Sequence, residues 1–123
     1  MKISDDSHPI SIVPATERVR ITHNGRVIAD TRRALALKEA SYPAVHYIPR
    51  EDADMSLLSR TTHGTHCPYK GDAAYYSIAA GGQASENAIW TYEAPFPAVR
   101  EIAGHLAFYP NRVDSIELLP LAD

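Results

Sequence analysis

Two stretches near the middle of the chain gather side chains able to do chemistry. They are Tyr47-Ile48-Pro49-Arg50-Glu51-Asp52 and Thr61-Thr62-His63-Gly64-Thr65-His66-Cys67-Pro68-Tyr69-Lys70-Gly71-Asp72. Histidine, cysteine, lysine and arginine seldom crowd together merely to solubilise a loop, and functional residues tend to sit on loops held by a rigid sheet. Lys70 can donate as a point charge to a phosphate or carboxylate, and Gly71 beside it would let a ligand approach the backbone. Arg50 can clamp an acidic group, with Glu51 to orient it or to bond a ligand hydroxyl. Each also has a plainer reading: Lys70-Gly71-Asp72 as a solvated turn, Arg50-Glu51 as a surface ion pair of small energetic value. Brought together near apolar walls, the two cations would raise the local affinity for an acidic ligand.

Aromatic rings supply candidate walls. Along a strand, period two sends Tyr75 and Tyr76 to opposite faces and puts Trp90 and Tyr92 on the same one. One set of rings is expected in the core. Rings with polar tips can also line a concave mouth and stack on a planar ligand, and a small curved sheet has too little interior to hide them all. The expected pocket has Tyr47, Tyr75 and Trp90 in its floor and Arg50 and Lys70 at its rim. Glu51, His66 and Cys67 complete the expected ligand-binding set.

The elements that must position these groups are short. Nine prolines and six glycines punctuate the chain, a pattern of many short strands rather than long helices. Asn24-Gly25 between the alternating runs Val19–His23 and Arg26–Ala29 predicts a type I′ hairpin, because both turn residues need positive φ. That turn pairs His23 with Arg26 and Ile21 with Ile28, and turns Val19, Ile21 and Ile28 inward. A second hairpin is predicted around Gly81-Gly82, joining Ala74–Ala80 to Gln83–Tyr92. Ala34–Lys38, Val45–Ile48, Leu106–Tyr109 and Ile116–Leu119 read as further strands, with a helical turn at Glu51–Met55. Pro97–Gly104 is the best helix candidate: proline suits its start, glycine its end, and Val99, Ile102 and Ala103 form an apolar stripe. The first eight residues and the last three are expected to be mobile. The fold class is therefore mainly β: a single small antiparallel curved sheet, half-barrel or sandwich of about eight strands with one short helix.

Composition narrows the function classes without naming a reaction. The 123 residues, 45% hydrophobic and 22% charged, suit a single globular domain with one real core. Net charge is −3, which argues against a nucleic-acid polymer as partner. No apolar run approaches a membrane span, the start lacks a secretory segment, and the lone Cys67 suits a reducing compartment, so a cytoplasmic protein is expected.

Five stretches together resemble the family of domain of unknown function 427. They are Asn24–Asp30, Tyr47–Asp52, Thr65–Tyr76 with its distinctive Cys67-Pro68-Tyr69-Lys70-Gly71-Asp72, Ala88–Tyr92 and Gly104–Tyr109. The likeness runs from about Val19 to Leu118. It implies a compact, mostly antiparallel β domain of the half-barrel kind also seen in some zinc-binding and sulfoxide-reductase folds; it implies no established activity. The family has also carried a nucleotidyltransferase label. The usual transferase signature sets a Gly-Ser turn ahead of a magnesium-holding Asp-x-Asp. Asp52-Ala53-Asp54 has the second part without the first, in a strand-rich chain unlike that α/β fold.

Two further chemistries are weaker. His63, His66 and Cys67 could give zinc three ligands, but the related zinc-binding β folds use paired Cys-x-x-Cys knuckles, and His63 lies outside the resembling stretch. No metal or cofactor is expected. As a nucleophile, Cys67 would need a base from elsewhere, such as His46 or His105, because His66 points to the other side of an extended chain; a small buried hydrophobe is the commoner role. The leading expectation is a β domain that binds a small anionic or planar metabolite in a concave pocket. A protein-interaction or self-association module, such as a homodimer with a flat exposed aromatic face, is the first alternative. A nucleotidyltransferase-like enzyme is the second.

Overall fold

The computed structural model describes residues 7–80 and 84–121. Ten strands lie among them: β1 (Ile10–Pro14), β2 (Glu17–His23), β3 (Arg26–Thr31), β4 (Leu35–Glu39), β5 (Val45–Tyr47), β6 (Leu58–Cys67), β7 (Gly71–Ile78), β8 (Ser85–Thr91), β9 (Leu106–Phe108) and β10 (Ser115–Pro120). Every strand pairing is antiparallel, in three sheets ordered β1-β4-β5, β10-β2-β3 and β6-β7-β8-β9. The first and third sheets are stitched together where Ile48 and Leu106 exchange two backbone hydrogen bonds of 2.8 Å. The described residues form an open architecture that does not close into a barrel.

The Asn24-Gly25 turn has φ of 48° and 75°, as a type I′ hairpin requires. His23 pairs with Arg26, but Ile21 pairs with Ala29 rather than Ile28, because β3 carries one extra residue at that point. The resulting bulge lets both Ile28 and Ala29 reach the core, beside Val19 and Ile21. β7 and β8 pair as the second predicted hairpin demands; its Gly81-Gly82 turn lies outside the described residues.

Four further expectations change. The dense stretch read as a loop is largely β6, a ten-residue strand. It is mostly exposed on both faces, so it lacks the apolar alternation that marks a half-buried strand. The predicted helix at Pro97–Gly104 is a 3₁₀ segment, Pro97–Ile102, broken at Val99 (φ −126°, ψ 28°); Val99 and Ile102 are buried as expected, whereas Ala103 is exposed. The helical turn after Pro49 is likewise 3₁₀, at Arg50–Asp52 and Met55–Leu57. Finally, His8 is not a free terminus: its ring stacks on Tyr69 at 3.8 Å and its Nε2 meets Glu39 Oε2 at 2.8 Å. Residues 1–6 and 122–123 lie outside the described set.

Side-chain parity divides the interior into two cores. Val19, Ile21 and Ile28 of the β10-β2-β3 sheet pack with Tyr76, Ile78, Ile89, Leu106 and Phe108. The opposite faces of the other two sheets bury Leu37, Tyr47, Ala73, Tyr75, Tyr92 and Ala107, closed by Val99 and Ile102. Tyr75 and Tyr76 thus serve different cores, as period two demands.

Candidate functional site

The second core opens into a hollow of about 460 Å³. Its aromatic wall follows from strand register. Tyr75 on β7 lies directly opposite Trp90 on β8, and Tyr92 follows Trp90 two residues on. Tyr47 ends β5 and meets Trp90 edge-on, with centroids 6.3 Å apart and planes at 88°. Tyr109, just past β9, tilts against Trp90 at 4.5 Å and lies parallel to Tyr75 at 6.5 Å. Leu37, Pro43, Val45 and Pro110 add apolar wall, and Tyr42 stands at the hollow with most of its ring exposed.

The polar tips of these rings are largely occupied by one another. Trp90 Nε1 donates to the Tyr47 hydroxyl at 3.2 Å. The Tyr75 hydroxyl lies 3.0 Å from Thr65 Oγ1 and 3.3 Å from the Tyr109 hydroxyl. Burial pushes the phenols of Tyr47 and Tyr92 well above the ordinary tyrosine range. Burial, aided by the hydrogen bond with Tyr75, pushes Tyr109 up to about 12. At neutral pH these are uncharged hydroxyls, able to hold a ligand's polar atoms but not to act as bases.

Among the described residues one ion pair faces the hollow. Lys70 is only 7% exposed, and its Nζ bonds Glu39 Oε1 in a short contact. It also lies 5.9 Å from the centre of the Tyr92 ring. Burial would raise the Glu39 carboxyl, but the hydrogen bonds from Lys70 and His8 outweigh it and hold the group below its ordinary value. Lys70 is fixed from behind, since its carbonyl accepts from Phe96 N at 2.9 Å. Gly71 takes φ +115°, and a Cβ there would lie 3.6–3.7 Å from backbone atoms of Ala94, Pro95 and Phe96. The positive φ of the turn thus calls for a glycine here.

Of the eight residues expected to bind a ligand, Tyr47, Lys70, Tyr75 and Trp90 line this hollow. Cys67 packs, half-buried, against the same core without lining it. The other three are elsewhere. Arg50 donates to the Tyr76 hydroxyl at 3.1 Å and lies over that ring, on the opposite face of β7. The expected convergence of Arg50 with Lys70 therefore does not occur, because Tyr75 and Tyr76 point apart. Glu51 is exposed and faces Arg33 at 3.4 Å. His66 is exposed on β6 and pairs with Asp72 at 2.7 Å. Sequence reasoning missed Glu39, whose tie to Lys70 spans 31 residues and leaves no local signal. Tyr92 was within reach, since it shares a face with Trp90.

The carboxylates of Asp52-Ala53-Asp54 have partners within the fold. Asp52 accepts from Thr31 Oγ1 at 2.6 Å and from Arg33 at 3.3 Å, and Asp54 caps the Met55–Leu57 turn through Ser56 N. Among the described residues no three His, Cys, Asp or Glu side chains stand close enough to share a metal ion, and no helix is long and apolar enough to cross a membrane.

Fold and site together define a small, mainly antiparallel β domain with an aromatic hollow where two of its sheets join. The chain belongs to the family described as domain of unknown function DUF427, whose family model matches residues 11–118. The match begins within β1, eight residues ahead of the likeness seen in the sequence. No curated protein matches the chain.

Proposed function

We propose that this domain binds a small planar ligand in the hollow, with its ring against Trp90 and Tyr109. The observation that carries this reading is the convergence of five aromatic side chains, Tyr47, Tyr75, Trp90, Tyr92 and Tyr109, on one cavity of about 460 Å³. That volume lies within the roughly 300–1,000 Å³ of small-molecule sites, which are likewise mostly apolar with a few placed polar groups. Between the anionic and the planar ligand, the electrostatics favour the planar one. Lys70 is already matched by Glu39, and Arg50 faces another core, so among the described residues the hollow offers no uncompensated cation. A flat interaction surface is a poorer fit, since Tyr47, Tyr75 and Tyr92 are each at most 6% exposed.

The test uses the chain's single tryptophan. Its indole N–H gives one resolved cross-peak in a ¹⁵N-labelled sample. Titration with quinoline and 2-quinolinone should shift that peak saturably and raise the melting temperature. Tyr109→Ala should weaken binding, and Arg50→Ala should leave it unchanged. An unmoved indole peak across such bicyclic probes, or equal losses in the two variants, would overturn the proposal.

A further inference from the structure

Resting on the reading of the hollow as a site for planar ligands, the geometry points to a narrower class. We propose that it selects planar lactams, rings carrying an N–H and a C=O side by side, as in 2-quinolinones, uracils and oxopurines. The polar groups on the wall differ in the hydrogen-bonding capacity they have left. The Tyr75 and Tyr109 hydroxyls bond Thr65 and each other, and the Tyr47 hydroxyl accepts from Trp90; the O–H groups of Tyr47 and Tyr92 stay available, but a hydroxyl can donate or accept and so sets no polarity on a guest. Glu39 and Lys70 are only partly used. A carboxylate has about four lone-pair sites; Glu39 spends one on Lys70 and one on His8. An ammonium has three N–H donors, and Lys70 directs one at Glu39. Both residues line the hollow. Its wall therefore presents an acceptor and a donor in direct contact, held by the Lys70 turn on one side and the end of β4 on the other.

A guest must answer both groups at once. A carboxylate guest would meet Glu39 and an ammonium guest would meet Lys70, each a like charge in a poorly hydrated setting. A neutral guest with only acceptors leaves Glu39 unanswered. A lactam edge gives its N–H to Glu39 and takes Lys70's N–H at its carbonyl, while the resident ion pair stays intact. Its ring then lies among the aromatic walls.

Three bicyclic probes of near-equal size separate this inference from the reading it rests on: 2-quinolinone, its N-methyl derivative and quinoline. Calorimetric titration of the full chain should show 2-quinolinone binding about tenfold or more tighter than the other two, the scale of one hydrogen bond to a charged group. Removing one ion-pair partner alone endangers the fold, so the paired variant Glu39→Leu with Lys70→Met carries the control, because an apolar pair can replace a buried ion pair without loss of stability. It should bind all three probes alike, at the strength quinoline has in the natural protein. Equal affinities in the natural protein would overturn the lactam class and leave the planar-ligand reading standing. So would tighter binding of L-phenylalanine, a zwitterion able to answer both charges, than of 2-quinolinone. No binding of any bicyclic probe would overturn both.

Discussion

The Lys70–Glu39 pair makes the sharpest stability prediction, because it separates a dry wall from a wet one. Both partners are well covered, with side-chain exposures of 9% and 18%. Glu39→Leu alone would strand the Lys70 ammonium against Tyr92 and apolar walls. Breaking a buried pair from one side costs about 3–5 kcal/mol, and the partly open hollow puts this case near the lower end of that range. Lys70→Met alone should cost less, since His8 still bonds the other carboxylate oxygen. The double replacement should sit within about 1 kcal/mol of the natural protein. For a domain of this size the first variant then melts roughly 10 °C lower, and the double variant nearly recovers. Urea unfolding followed by Trp90 emission and by circular dichroism would give the three free energies. The same pair predicts a pH signature. Glu39 is held below its ordinary value of 4.5, so its contribution is fully present above that pH and fades as pH falls through the folded-state value. The double variant should lack this component of acid destabilisation. Single variants losing less than about 1 kcal/mol, or a double variant as weak as the sum of the singles, would show a solvated pair and refute the reasoning.

Other expectations follow from local geometry. Gly71→Ala places a Cβ at φ +115° beside the Ala94–Phe96 backbone. It should cost about 1–3 kcal/mol, read as a shift in urea midpoint; an unchanged midpoint would show that the turn adapts freely. Burial raises the phenols of Tyr47 and Tyr92, and that of Tyr109 to about 12. Their stabilising share is present below pH 10 and lost as pH rises toward the folded values. Ultraviolet titration should therefore find several of the seven tyrosines un-ionised at pH 11 until the chain unfolds; smooth ionisation of all seven near pH 10 would contradict the buried wall. Asp30, bonded twice by Arg18 at 2.6 and 2.8 Å, is held below its usual 3.8. Carbon-13 carboxyl titration should show that depression abolished by Arg18→Ala.

How far the sequence could be read follows from where each signal is stored. Asn24-Gly25 is a local instruction, and its turn and the inward set Val19, Ile21 and Ile28 follow from it. The exact partner of Ile21 does not, because a bulge in β3 depends on what packs behind the strand. β1 left an alternation in Ile10 and Ile12, both packed on the second core, but the strands expected from sequence began only at Val19. β6 left none. As a sheet-edge strand exposed on both faces, it shows polar residues in sequence, and its histidines and threonines read as loop chemistry. Pro97 and Gly104 marked both ends of a helical segment correctly, but six residues are too few to fix an α-helix over a 3₁₀ one.

The candidate site shows the same division. Tyr75, Trp90 and Tyr92 share a face by period two, and that much is visible in a linear chain. Which face Arg50 and Lys70 address is not, since each hangs from a turn whose direction is set by tertiary bonds: Lys70 by Phe96 N, Arg50 by the Tyr76 hydroxyl. Crowding of reactive residue types between Thr61 and Asp72 therefore marked the hairpin that carries Lys70 to the hollow, for an indirect reason. Its exposed half, His63 to His66, is sheet edge. Lys70, at the turn where β6 gives way to β7, is the one cation carried inward, and there its partner is a carboxylate of a different sheet. A buried charge without a partner is too costly to keep. Finding where Lys70 goes thus required finding Glu39, and their pairing removes the uncompensated cation that an anionic ligand, one of the two expected kinds, would have met.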